Sequence, residues 1–199
     1  MAFEKLREQL EKNGFQVSVF ATAREAADYL NREIDGTTVG CGGSMTLKEM
    51  GLYDSLAAHN TLYYHGISDD PKGAMQKAMT ADVYLLSANA IAESTGEILS
   101  IDGTGNRVSS TLFGHRKVYF VAGKNKVSED FDKALWRLRN VVAPKNAQRL
   151  GRKTPCAVKG DKCYNCSSPE RICRGLVVHY KKMNSMDMEV VLVDQELGY

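Results

Sequence analysis

Three stretches of this chain, "DVYLLSA" (82–88), "KVYFVAG" (117–123) and "MEVVLVD" (188–194), are apolar on consecutive residues rather than on alternate ones. A strand with one solvated face alternates apolar and polar side chains; a run apolar throughout is buried on both faces. Between such runs lie segments with helical periodicity. Phe3, Leu6 and Leu10 form one apolar stripe that ends at Asn13-Gly14, and Ala26, Leu30 and Ile34 form another. "TARE" at 22–25 opens the second helix as a capping box, with Thr22 capping and Glu25 reaching back. Further helices are expected near 46–58, near 71–79 and after Ser128, whose hydroxyl is placed to cap a helix with Phe131, Leu135, Leu138 and Val142 on one face. "FQVSVF", "TTVG", "TLYYH" and "EILSID" complete the strands. The expected fold is α/β in three layers, a mostly parallel sheet flanked by helices.

At 199 residues the chain can bury a core without staples. No apolar run approaches the ~20 residues that span a bilayer, and "MAFEKLREQLEKNG" reads as an amphipathic helix rather than a signal peptide. A cytoplasmic protein with reduced thiols is therefore expected. The net charge of +2 disfavours generic nucleic-acid binding, but it hides an asymmetry: thirteen Lys or Arg against two acids, Asp161 and Glu170, between Lys133 and Lys182. Without interleaved aromatics that stretch reads as a solvated basic face, with an anionic ligand, a partner or nucleic acid as the sharper alternatives.

Ligands of open α/β sheets bind at the carboxyl ends of strands. Here "TTVG" runs into "CGGSMTL", "DVYLLSA" into "NAIAESTG", "EILSID" into "GTGNR" and "KVYFVAG" into "KNK". All four ends carry glycine, small polar or cationic residues. Together they suggest a pocket for a small anionic metabolite lined by Gly42, Gly43, Ser44, Thr95, Gly96, Asn106, Arg107, Lys124 and Asn125. Arg107 with Lys124 or Lys126 would hold the anion. Glu93 is the one carboxylate at such a turn and the candidate nucleophile or general base, against the plainer reading of a cap or ion pair. Neither a dinucleotide fingerprint nor a P-loop is present. Cys41 reads as a small buried thiol, and the four histidines, scattered without metal spacing, as structural.

"TPCAVKGDKCYNCSSPERIC" (154–173) holds Cys156, Cys163, Cys166 and Cys173 in the spacing C-x6-C-x2-C-x6-C. Four thiolates suit tetrahedral zinc or an iron–sulfur cluster. The pattern matches neither paired C-x2-C zinc sites nor a ferredoxin run, so unligated thiols stay open beside the two metal readings. Disulfides are disfavoured by the expected compartment.

Taken in order, "VGCGGSMTLKEMGL", "SANAIAESTGEILSIDGTGNRVSSTLFG", "KVYFVAGKNKV", "APKNAQRL", the cysteine stretch and the closing "ELGY" resemble the LUD, or lactate-utilisation domain, family, in a short branch with a cysteine-rich tail. The resemblance covers nearly the whole chain. It implies a fold like that of ribose-5-phosphate isomerase, glucosamine-6-phosphate deaminase and the CoA-transferases. It divides the chain into a LUD-like domain at 1–150, a cysteine-rich segment at 151–175 inserted before the last strand, and a closing strand and C-terminus at 176–199. It also implies an association with the oxidation of L-lactate to pyruvate, in a system whose iron–sulfur subunits carry electrons. By fold analogy alone Glu93 would sit where CoA-transferases carry a glutamate-bearing turn. Two functions follow as expectations: a cytoplasmic metabolic protein with the strand-end pocket, or a non-enzymatic accessory protein docking an iron–sulfur electron-transfer partner through its cysteines. A homo-oligomer is compatible with either.

Overall fold

The computed structural model describes residues 3–199. Strands β1 (Gln16–Phe20), β2 (Thr38–Cys41), β3 (Thr61–Tyr64), β4 (Val83–Ser87), β7 (Lys117–Gly123) and β10 (Asp187–Val193) form a sheet in the order β1-β10-β7-β4-β2-β3. Every neighbouring pair in it is parallel. The continuous apolar runs serve both faces at once. Tyr84, Leu86, Val118, Phe120 and Leu192 pack to one side with Leu6 and Leu10 of α1 (Glu4–Lys12). Val83, Leu85, Tyr119, Val121 and Val193 pack to the other, against Ala26, Leu30 and Ile34 of α2 (Ala23–Glu33) and Leu47, Leu52 and Leu56. Each of these large side chains contributes about 1.5–3 kcal/mol on burial, which fixes a three-layer α/β architecture.

The polar residue within the last run is accounted for. Glu189 is buried, pairs with Lys117 at 2.7 Å, and accepts hydrogen bonds from Tyr29 Oη at 2.7 Å and Ser18 Oγ at 2.8 Å. The Thr22–Glu25 capping box is present in both directions at the start of α2.

Four details differ from the expectations. "EILSID" does not join the parallel sheet: β6 (Ile98–Asp102) pairs antiparallel with β5 (Ala90–Ala92) and β9 (Gly175–His179) in a second sheet of order β8-β5-β6-β9, in which β8 is Val127–Ser128. "NAIAESTG" is accordingly not a strand-end turn but strand β5 followed by a hairpin turn. The helix near 46–58 is two, α3 (Met45–Glu49) and α4 (Leu52–Ala57), divided at Gly51, whose φ of 67° is left-handed and stops the first. Asp130, not Ser128, caps α7 (Phe131–Arg137), accepting from the Lys133 amide at 2.8 Å.

The helix continues through a wide π turn at Leu138–Val142 into α8 (Ala143–Arg149). Pro144 follows that turn; it has no N–H to give and its ring would crowd a regular α turn. Short helices α5 (Pro71–Ala78), α6 (Asn106–Ser110) and α9 (Pro155–Lys159) complete the chain.

Candidate functional site

A cavity of about 320 Å³ lies at the carboxyl ends of β2, β4 and β6, within the size range of small-molecule sites. Gly43, Ser44 and Met45 follow β2 into it, Ser87 and Asn89 come from the end of β4, and Asp102, Gly103 and Thr104 from the end of β6. The turn after β7 contributes Lys126. Two further walls come from α8 and the segment beyond it (Asn146, Arg149, Arg152) and from the cysteine-rich segment (Glu170, Arg171, Arg174).

Arg107 is set by its own neighbourhood. Asp102 Oδ2 accepts the Arg107 amide at 3.0 Å and faces the guanidinium at 3.7 Å, while Nη2 donates to the Ile101 carbonyl at 2.7 Å. The glycine at 42 makes room for this side chain. A β-carbon there would fall 2.1 Å from Arg107 Cγ, so any larger residue would displace the arginine. Gly42 thus acts at one step's remove from a ligand, through Arg107.

Of the two lysines offered from sequence as partners of Arg107, it is Lys126 that forms part of the cavity wall. It is 4% exposed, and its Nζ donates to Ser87 Oγ at 2.7 Å. Ser87 Oγ lies in turn within hydrogen-bond distance of the Ala88 carbonyl and of Thr46 Oγ1, either of which can accept its one proton. No carboxylate forms an ion pair with the ammonium among the described residues. Burial pushes its pKa down to about 7, Arg137 and Arg107 repel the charged form further, and Glu49 opposes them. Arg137 bonds the Asn125 carbonyl at 2.8 Å and the Asn89 carbonyl at 3.0 Å, tying the turns after β7 and β4 together beside the lysine.

The cavity is strongly cationic. Arg107, Lys126, Arg149, Arg152, Arg171 and Arg174 line it, against Asp102 and Glu170. Both acids are engaged: Asp102 with the start of α6, and Glu170 as acceptor of the Lys153 amide at 2.7 Å. Four of these six cations belong to the basic stretch that reads from sequence as a solvated face. No motif marks them; only the return of the cysteine-rich segment across the strand ends brings them together.

Of the residues expected in the pocket, Gly43, Ser44, Arg107 and Lys126 line it, and Gly42 packs directly against Arg107. The others lie elsewhere. Glu93 faces Lys5 of α1 at 3.7 Å, the Thr95 carbonyl accepts from Asn13 Nδ2 at 2.8 Å, and Gly96 lies against Gln9 and Asn13. The Glu93–Gly96 turn therefore docks the small sheet onto the first helix. Asn106 begins α6 without lining the cavity. Lys124 is half-exposed and pairs with Asp194 at 3.2 Å, and Asn125 Oδ1 accepts the Leu197 amide at 3.0 Å.

The cysteine-rich segment wraps around Arg171. This side chain donates to Cys173 Sγ at 3.2 Å and to the Cys166 carbonyl at 2.8 Å, and interacts electrostatically with Cys163 as well. Arg139 and the Asn165 amide face Cys163 Sγ at 3.9 and 3.3 Å. Cys156, on α9, instead contacts Thr154 Oγ1. All four thiols are partly exposed and free. Their chemistry suits a soft metal, but as placed they do not form a cradle for one: among the described residues no three His, Cys, Asp or Glu side chains form a group that could hold a metal ion. Cys41 is buried in the main core and its thiol pKa is pushed far up by desolvation, so it is inert. His115 and His179 are buried and bonded to the Ala81 and Thr111 carbonyls.

Fold and site define an α/β protein with a cationic cavity at the ends of parallel strands. The chain belongs to the LUD domain family, whose profile matches residues 3–193 and which is associated with lactate utilisation. Among solved structures it is similar to a DUF162 family protein from Deinococcus radiodurans, at 12% identity with a TM-score of 0.52 over 97% of this chain and 99% of that one. That likeness is one of fold. No curated protein matches the chain. Among the described residues no helix is long and apolar enough to cross a membrane.

Proposed function

We propose that this LUD-domain protein binds a small anionic metabolite, a carboxylate or phosphate, in the strand-end cavity, as part of lactate-utilisation metabolism. One observation carries the reading: five arginines and the Lys126 amine line the cavity, and its two acidic side chains are already bonded to the protein. Cations held so close together repel one another, and a bound anion relieves that repulsion. Arg107 is the anchor, because Asp102 and Ile101 fix its guanidinium before any ligand arrives. The exposed Arg149, Arg152 and Arg174 supply attraction from the far wall.

The test is a thermal-shift screen of lactate, pyruvate, inorganic phosphate and sugar phosphates at low ionic strength. A ligand at about a hundred times its Kd adds about 2.7 kcal/mol of stability, several degrees in a chain of this size. Arg107→Ala is expected to cut the shift to about half or less and Arg152→Ala, at an exposed position, to reduce it by a smaller amount. Hits that stabilise both variants as strongly as wild type would sink the assignment.

A second reading is favoured by the gathering of Cys163, Cys166 and Cys173 around Arg171 on a partly exposed surface. In it the segment is a contact for an iron–sulfur electron-transfer partner. Capture experiments comparing wild type with a Cys163→Ser/Cys166→Ser double variant discriminate; loss of an iron–sulfur protein from the captured set supports docking, and identical sets refute it.

A further inference from the structure

Lys126 is not needed to attract an anion, since five arginines already do so, and its burial at the cavity wall asks for another explanation. We propose that Lys126 is an imine-forming amine, and that the anion taken by the cavity is a small 2-oxo acid with its carboxylate on the arginines and its carbonyl carbon at Lys126 Nζ. The proposal rests on the anion-binding reading above and names its substrate class.

Three features of the site carry it. The amine is almost wholly buried yet belongs to the cavity wall, so a ligand seated there is held against it. Its hydrogen-bond partner is a hydroxyl, Ser87 Oγ at 2.7 Å, rather than a carboxylate. A carboxylate partner would hold the lysine as an ammonium; a hydroxyl that itself lies within hydrogen-bond distance of Ala88 and Thr46 positions the nitrogen and leaves its proton labile. The charged groups around it are Arg107 and Arg137, which disfavour the ammonium, and Glu49, which favours it. The balance leaves a pKa of about 7, so a substantial fraction of the amine carries a free lone pair at neutral pH. Lys124, two residues away, is half-exposed and paired with Asp194 and offers no such environment.

The step is balanced without any oxidant or reductant. The nitrogen lone pair forms a bond to the carbonyl carbon as the carbonyl π electrons move to oxygen, and a proton passes from nitrogen to that oxygen. The hydroxyl then leaves as water with a second proton from nitrogen, and the C=N bond forms. The arginines that hold the carboxylate fix the carbonyl carbon beside Nζ, which is the approach geometry such an addition needs.

The test is reductive trapping of the full chain with pyruvate and with glyoxylate in the presence of cyanoborohydride, read by intact mass and peptide mapping. Binding of the same acids is measured by calorimetry without reductant. The expected result is a single reduced adduct on Lys126, formed faster as pH rises through about 7 and suppressed by excess lactate, which has the carboxylate but no carbonyl. Lys126→Arg keeps the charge and is expected to bind the acids while losing the adduct. Binding without an adduct, labelling spread over surface lysines, or an adduct that persists in Lys126→Arg overturns the imine and leaves the anion site standing. Absence of binding by every anion overturns both.

Discussion

The Asp102 carboxylate holds Arg107 from two sides, accepting its backbone N–H at 3.0 Å and facing its guanidinium at 3.7 Å. The same carboxylate accepts the Gly103 amide at 2.7 Å and reaches the Val108 amide at 3.4 Å, so one side chain both closes the turn after β6 and starts α6. Asp102→Ala removes these acceptors together. We expect a loss of about 1–3 kcal/mol in denaturant unfolding and weaker anion binding, because the guanidinium is no longer held. A variant as stable as wild type would show that Arg107 is set by the Ile101 carbonyl alone.

Lys126 makes stability depend on pH in a known direction. Its pKa is about 7 in the fold and near 10.4 in an unfolded chain, so between these values the unfolded state binds more protons and stability rises with pH. Below about pH 7 the full cost of burying the ammonium is present. Lys126→Met removes this cost. It is expected to be more stable than wild type at pH 6, with the gap closing progressively toward pH 10, in paired urea unfolding curves. A gap independent of pH would mean that the lysine is not titrating as its surroundings dictate.

His115 and His179 give a separate acid-side signature. Burial lowers the pKa of both, so the fold favours their neutral forms. That contribution is complete above an ordinary histidine pKa of about 6.5 and is lost as pH falls below it. Proton-coupled unfolding by calorimetry between pH 6.5 and 5 is expected to steepen for wild type relative to His179→Gln. Parallel curves would assign the acid sensitivity to other groups.

The five cysteines are expected to divide by reactivity. In reduced native protein, Cys156, Cys163, Cys166 and Cys173 are partly exposed, whereas Cys41 is sealed in the core. A thiol-reactive disulfide reagent is therefore expected to consume four thiols quickly and the fifth only after denaturation. Adding zinc before the reagent probes a metal-bound form of the segment. Protection of all four would show that the cysteine-rich segment rearranges to ligate the metal, and no protection would leave them as free thiols.

The main sheet was legible because its strands are apolar on both faces, a pattern that few other environments tolerate. Leu6, Leu10, Ala26, Leu30 and Ile34 were readable for the same reason, as stripes at helical spacing. "EILSID" carries a similar apolar content, and nothing within its six residues distinguishes a parallel partner from an antiparallel one. The pairing is decided by β9, which lies more than seventy residues away and whose first two residues, Gly175 and Leu176, are exposed. The site was half legible. Strand-end chemistry pointed to Gly43, Ser44 and Arg107, because local turns follow parallel strands wherever they occur. It also pointed to the Glu93–Gly96 turn, which the antiparallel hairpin carries to the opposite end, against α1. Arg149, Arg152, Arg171 and Arg174 had no local signature, since their convergence depends on how two segments far along the chain fold back over the sheet.

Calorimetric titration of one simple anion, pyruvate, into wild type, Arg107→Ala and Arg152→Ala at low and at moderate salt probes the cationic cavity most directly. Wild type is expected to bind one equivalent with an affinity that falls as salt rises. Arg107→Ala should bind about 10- to 100-fold more weakly, the loss expected when a charge-assisted hydrogen bond worth about 1.5–3 kcal/mol is removed, and Arg152→Ala less severely. Binding that is indifferent to both salt and these substitutions would place the anion, and with it the function, outside the strand-end cavity.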